Sequence, residues 1–300
     1  MNKGILYGIG AYALWGFFPI YWKLLHHVPA LELLGHRIVW SFLLLMGVIF
    51  ATRQGGAFRK LLNAHTFGIY LIAALLIGGN WWTYVWAVNA GHIVETSLGY
   101  FINPLVSVLL GLLILREKLR PAQWLPILLA LIGVVYLTVT FGRLPWIALT
   151  LAFTFGFYGL AKKLAPLSSL HGLTLETGLL FVPALVVLGF AQVNGTGAFL
   201  HTGAASDFLL VGAGVVTTIP LLMFASAAKR IPLTMIGVLQ YLAPTIQFLI
   251  GVFVYQEPFD HTRLIGFSLV WLALILFWGE SYLANRALQQ PVPKLGISGG

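Results

Sequence analysis

The chain has 300 residues, 59% of them hydrophobic and 8% charged, with a mean hydropathy of +0.93. Its apolar runs are too numerous to fit inside one soluble core, and the absence of cysteine excludes disulfides, thiol nucleophiles and cysteine metal sites. The formal net charge of +9 follows membrane topology along the chain, so no nucleic-acid partner is expected.

An apolar stretch of about 20 residues spans the hydrocarbon layer as a helix. Ten such runs are present, at 4–24, 33–52, 67–88, 93–115, 121–141, 145–165, 172–192, 207–228, 233–256 and 262–283. None alternates with the period of a lipid-facing barrel strand, so the spacing predicts an all-α membrane protein. The first run has Lys3 ahead of it and no small-residue cleavage site, and Tyr12, Trp15, Phe17, Phe18, Tyr21 and Trp22 fill its second half. It reads as a retained helix rather than a cleaved signal, with Pro19 freeing the carbonyl of Trp15.

The second run carries Arg37 inside its outer end. The third ends in Gly78-Gly79-Asn80-Trp81-Trp82-Thr83-Tyr84-Val85-Trp86. Trp86 suits an interfacial belt, whereas Asn80 lies mid-span, where an amide either bonds another helix or faces a water-filled cavity. The cavity is the favoured reading, and Trp15, Trp81, Tyr84, Tyr158 and Phe224 are then its aromatic walls. The fourth run holds Glu95, Tyr100, Asn103 and Pro104. Glu176 lies in the cytoplasmic end of the seventh, Pro220 in the eighth, and Gln240, Tyr241, Pro244 and Gln247 in the ninth. Each proline withholds an N–H from the carbonyl four residues earlier, and in hydrocarbon that acceptor needs a partner: a side chain, water or solute.

One motif occurs twice. Asn103-Pro104, Gly111 and Glu117 recur as Ala243-Pro244, Gly251 and Glu257, 140 positions later. The first copy is followed by Arg116, Lys118 and Arg120, and the second by Gln256, Pro258 and Asp260, while Lys229 and Arg230 precede the second copy where the first half has Asn89 and Ala90. Positive charge marks the cytoplasmic side, so the exchange predicts two halves that cross the membrane in opposite directions. With both termini inside, 13 of the 17 Lys and Arg are cytoplasmic, Lys23, Arg143 and Arg263 are outside, and Arg37 is within a span. The expected organisation is ten transmembrane helices as two inverted five-helix repeats, 1–142 and 143–284, followed by a disordered cytoplasmic tail, 285–300.

Intramembrane charges are functional candidates by default, so Arg37, Glu95 and Glu176 are taken as gating or coupling groups, with Arg37 and Glu95 expected to pair near the outer gate. A structural ion pair with nearby lysines is the stronger alternative for Glu176, and Glu117 and Glu257 read as helix-terminal structural groups. The eight histidines lack metal-ligand spacing, and no phosphate-binding glycine loop is present. No metal or cofactor is expected.

His36-Arg37-Ile38-Val39-Trp40-Ser41, Gly78-Gly79-Asn80-Trp81, Trp86-Ala87-Val88-Asn89, Ser97-Leu98-Gly99-Tyr100-Phe101-Ile102-Asn103-Pro104-Leu105 and Thr217-Thr218-Ile219-Pro220-Leu221 together make the chain similar to drug/metabolite transporters of the EamA type, and more closely to their RarD branch. The resemblance covers about residues 4–283. It implies ten helices in two inverted five-helix repeats in the bacterial inner membrane and export of amino acids, metabolites or drugs. The RarD branch takes its name from an association with chloramphenicol sensitivity. The family offers no ligand signature to transfer, so the expected solute contacts rest on helix position and polarity: Trp15, Asn80, Trp81, Tyr84, Tyr100, Asn103, Tyr158, Phe224, Gln240, Tyr241 and Gln247. The expected partners are a small-molecule solute and membrane lipid. A membrane-embedded enzyme and a non-transporting scaffold are the alternatives.

If the charge exchange reports inversion, the single variants Lys118→Cys and Gln256→Cys will react with an impermeant thiol reagent from opposite sides of the membrane, the second from outside. Labelling of both from one side removes the inversion.

Overall fold

The structure is a computed structural model describing residues 2–56, 58, 63–256 and 261–288. Its helices are α1 (Lys3–Leu24), α2 (Ala30–Ala51), α3 (Ala64–Asn89), α4 (Ile93–Leu113), α5 (Trp124–Thr140, entered through a 3-10 turn at Pro121–Gln123), α6 (Trp146–Leu164), α7 (Ser169–Val193), α8 (Ala204–Ala228), α9 (Leu233–Gln240), α10 (Leu242–Leu249) and α11 (His261–Leu288). A π-helical turn at Ile250–Val254 prolongs α10. Among the described residues there is no strand.

Among the described residues nine helical segments are long and apolar enough to cross a membrane, the ninth being Leu233–Val254, which joins α9, α10 and the π turn. The tenth expected run falls in α11, whose apolar stretch Leu264–Glu280 is shorter. Bulky side chains cover the outside: Phe50 is 71% exposed, Phe208 78% and Val193 87%. In water so much apolar surface would drive aggregation; against lipid chains it has no such penalty. The chain is a multi-pass membrane protein.

Helix ends must satisfy backbone N–H groups that lack intrahelical partners. Three starts do so locally: Asn2 accepts from Gly4 N at 2.9 Å, Asn63 from Thr66 N at 2.8 Å, and Ser168 from His171 N at 3.2 Å. Proline precedes α6 and α9 and offers no side-chain acceptor, so distant carboxylates serve instead. Glu95 accepts from Ile147 N at 2.8 Å, and Glu117 from Leu233 N at 2.7 Å and Thr234 N at 2.9 Å. Glu32 takes up N–H groups of the α7–α8 connection instead, accepting from Ala198 N at 2.9 Å and Phe199 N at 3.2 Å. The structural role expected for Glu117 is thus what the geometry shows; Glu257 lies outside the described residues.

The helices pack as α4 along α6 and α9, α2 along α7 and α8, α1 along α8 and α10, α3 along α6, and α5 along α11. Small residues set the closest approaches. A Cβ added at Gly16 would meet Ile246 Cβ at 2.6 Å, and one at Gly156 would meet Val106 Cγ1 at 2.7 Å. Pro19, Pro104, Pro183 and Pro220 lie inside helices. Pro244 departs from the expected mid-helix kink: the ninth span breaks at Tyr241, and Pro244 sits in the first turn of α10, where a missing N–H has no helical acceptor to serve.

Gly16→Ala and Gly156→Ala are expected to destabilise the protein by about 1–3 kcal/mol through overpacking, seen as lower thermal midpoints in detergent. Gly47→Ala, with nothing within 4 Å of the added methyl, should leave the midpoint unchanged or raise it.

Candidate functional site

A cavity of about 190 Å³ opens between the segments that face the centre of the bundle. Its wall takes Tyr12, Trp15, Pro19 and Trp22 from α1, Arg37 from α2, Asn80, Trp81 and Tyr84 from α3, and Thr96, Tyr100 and Asn103 from α4. The second half of the chain adds Leu151 and Phe155 from α6, Leu221 from α8, Gln240 at the end of α9, and Pro244 and Gln247 from α10. The cavity therefore occupies the half of the bundle nearest the α1–α2 and α3–α4 connections. Spans one, three, four, six, eight and nine all contribute, joined by α2 through Arg37.

Its polar groups differ in how they are satisfied. Asn80 does both things considered for it, lining the cavity while its Nδ2 donates to Leu151 O and Thr154 Oγ1, each at 2.9 Å. Gln247 Nε2 donates to Trp15 O at 3.1 Å, the carbonyl that Pro19 leaves without a helical donor. Gln240 Oε1 accepts from Ser107 Oγ at 3.0 Å. Asn103 Oδ1 and the Tyr12 hydroxyl are buried with no hydrogen-bond partner among the described residues.

Aromatic rings close the floor. Trp15 packs on Tyr12 at 5.3 Å, on Phe224 at 5.7 Å and edge-on to Phe155 at 5.9 Å between centroids. Tyr158 stacks on Phe224 at 5.9 Å with its ring 13° from parallel. Tyr158, Phe224 and Tyr241, expected on the cavity wall, do not line it. Tyr158 and Phe224 are 0% and 1% exposed and form the layer beneath, while Tyr241 turns away to donate to Phe101 O at 3.3 Å.

Beneath this aromatic floor, or plug, lies an ion pair sealed from solvent. Glu176 accepts from Lys162 Nζ at 2.6 Å and from the Tyr158 hydroxyl at 3.0 Å, with both charged side chains 1% exposed. Two further lysines tie the connections at this end: Lys163 donates to Ile231 O at 2.7 Å, and Lys229 donates to Ala165 O at 3.0 Å and to Leu167 O. The α6–α7 and α8–α9 connections are thereby held together below the plug.

The expected pairing of Arg37 with Glu95 is absent. Glu95 faces away from the cavity to Ile147 N and lies 3.5 Å from Arg143. Arg37 Nε donates to Thr217 Oγ1 at 3.0 Å, and its guanidinium lies 4.9 Å from the Trp22 ring centroid and 5.0 Å from that of Trp81. Equal depth in a membrane does not place two side chains on facing sides of their helices, and Pro145 ahead of α6 offers no capping oxygen, so the Ile147 N–H takes Glu95. Sequence reasoning also missed Tyr12, Trp22 and Phe155. For Phe155 a signal existed, since it stands 140 positions after Trp15.

A helical membrane protein whose bundle holds a mainly apolar cavity set with a few polar groups, above an aromatic floor, has the form of a membrane transporter. The model of the EamA-like transporter family matches residues 2–139. "Protein RarD" of Streptomyces exfoliatus is 46% identical over 95% of this chain and 91% of its own length. "Uncharacterized transporter YojE" of Bacillus subtilis is 48% identical over 95% and 97%, and "Protein RarD" of Escherichia coli 41% over 95% and 97%. The chain belongs to the EamA-like transporter family. A solved crystal structure covering 95% of this chain superposes with a TM-score of 0.72 at 18% identity and so shares the fold.

Removing one member of the buried pair, by Glu176→Gln or Lys162→Met, should destabilise the protein by about 3–5 kcal/mol because the other charge is left uncompensated. The double variant should recover most of that loss. A double-mutant cycle in thermal unfolding checks it, and simple additivity would show that the two charges do not interact.

Proposed function

We propose that the protein is a secondary transporter of the bacterial inner membrane, moving a small amphipathic solute by alternating access of two inverted five-helix repeats, with ten crossings and both termini cytoplasmic. The carrying observation is the cavity itself: both halves build its wall, and Asn103 Oδ1 and the Tyr12 hydroxyl there have no partner among the described residues. Buried polar atoms are almost always satisfied, and a transported solute or its water meets that need.

Contacts 140 positions apart in the sequence support the inverted repeat. Gly16 against Ile246 and Gly156 against Val106 are one contact seen twice, with the halves exchanged. Trp15 and Phe155 are equivalents that touch each other, as are Phe101 and Tyr241. Arg116 and Gln256, also equivalents, both have left-handed backbone, with φ of 52° and 51°. Helix neighbours follow the same exchange, α4 with α6 answering α10 with α1, and α3 with α6 answering α8 with α1.

In this reading the cavity faces outward. The plug of Tyr12, Trp15, Phe155, Phe224 and Tyr158, together with the lysine ties beneath it, is the closed inner gate. Rocking the halves about the contact between Phe101 and Tyr241 parts these layers and closes the opposite end. Arg37 and the Lys162–Glu176 pair sit on either side of the plug, where they couple solute occupancy to gating. The chemistry is translocation without bond cleavage, which separates this reading from an embedded enzyme. Saturable flux separates it from a scaffold.

Counterflow into proteoliposomes, across a panel of aromatic carboxylates, amino acids and amphenicols, tests the reading. Asn103→Leu should lower saturable flux by about 10-fold, the loss of one solute hydrogen bond, without lowering the thermal midpoint. Flux equal to that of empty vesicles for the whole panel, or unchanged flux in Asn103→Leu, would overturn it.

A further inference from the structure

Among the described residues Arg37 is the only charged side chain on the cavity wall, and no carboxylate lies within ion-pair distance of it. The described acids that might have neutralised it are used elsewhere. Glu95 pairs with Arg143 and Ile147 N, Glu32 holds Ala198 N and Phe199 N, and Glu176 is locked to Lys162 below the plug. The guanidinium plane is fixed on three counts, by Nε donating to Thr217 Oγ1 and by the Trp22 and Trp81 rings. The two Nη groups, which form the end-on fork that matches a carboxylate, carry no hydrogen bond among the described residues. An unneutralised charge within the hydrocarbon layer is costly, and it marks a ligand path unless something answers it.

We propose that this cavity is an anion site, taking a solute with one carboxylate, one ring and a hydrogen-bond donor next to the carboxylate. The carboxylate docks on the Nη fork of Arg37, the donor meets Asn103 Oδ1, and the ring lies among Trp15, Trp81 and Tyr100. Size agrees: a cavity of roughly 150 Å³ holds benzene, so about 190 Å³ admits a single ring with a short polar head and excludes fused polycycles. Charge narrows the class further. No described acid lines the wall to receive an ammonium, so a net monoanion matches the site better than a zwitterion or a cation. The proposal rests on the transport reading for its biological sense, but binding at Arg37 stands or falls by itself.

The test is a titration of the purified full-length protein in nanodiscs, followed by intrinsic tryptophan fluorescence, because Trp15, Trp22 and Trp81 border the site. The probes are 3-phenyllactate, its neutral isostere 3-phenyllactamide, and the zwitterion phenylalanine. Wild type should bind phenyllactate about 10- to 100-fold tighter than the amide, the range of a charge-assisted bidentate contact. Arg37→Gln should abolish that preference. Arg37→Lys should keep the sign of the preference and lose most of its size, since an ammonium lacks the planar fork. Asn103→Leu should weaken both phenyllactate and phenyllactamide.

Equal binding of acid and amide by wild type would overturn the proposal, a comparison that needs no variant to fold. A preference that survives Arg37→Gln would move the anion elsewhere, and phenylalanine binding as tightly as phenyllactate would make the class zwitterionic. A merely structural Arg37 would lower affinity for all three probes together and leave their ratios unchanged. Binding with the expected preference but no flux would refute transport and leave the anion site; flux without charge preference would do the reverse.

Discussion

No backbone polar group can stay unpartnered in hydrocarbon, and this constraint organises the molecule. Proline ahead of α6 and α9 provides no capping oxygen, and each start is completed by a carboxylate from the first half of the chain, Glu95 and Glu117. Glu32 accepts from the backbone of the α7–α8 connection in the same way. Proline inside α1 frees a carbonyl, and Gln247 from the far end of the chain answers it. Each satisfaction joins residues of one half to the other, so the helices cannot be assembled as independent spans. Satisfying the backbone is also what fastens the halves around a common centre.

The same bonds decide which side chains are left to face the cavity. Glu95 is withdrawn to a helix start, Glu176 is neutralised by Lys162, and Gln240 is half engaged by Ser107. Among the described residues Arg37 and Asn103 remain, the first within about 5 Å of two indole centroids and the second with its acceptor unmet. Polarity in the cavity is thus a residue of structural bonding. The aromatic floor has a parallel logic: rings from α1, α6 and α8 pack into a layer held by ring contacts, with Tyr158 reaching the buried Glu176 beneath it.

Several elements were readable from the one-dimensional pattern because each rests on a local property. Apolar runs of membrane length mark the spans, lysine and arginine bias marks their expected orientation, and a proline names the carbonyl it strands. Asn80, Trp81, Tyr84, Tyr100, Asn103, Gln240 and Gln247 all reach the cavity because depth along a helix and chemical type were enough to select them. Azimuth was not readable in the same way. Tyr158, Phe224 and Tyr241 have the right type and depth, yet they point beneath or behind the cavity, since the face a helix turns inward depends on neighbours far away in sequence.

The sequence by itself therefore determined a multi-pass helical membrane protein, its family, three of its helix-interior prolines (Pro19, Pro104 and Pro220) and a short roster of mid-span polar groups. Tertiary structure alone decided the partners: Arg37 with Thr217 and two indoles rather than with Glu95, Glu95 with a helix start, and Gln247 with the carbonyl stranded by Pro19. The physical reason is that composition and period fix a residue's depth and chemistry, while the choice among competing partners is settled by which donors remain unsatisfied once all the helices have packed.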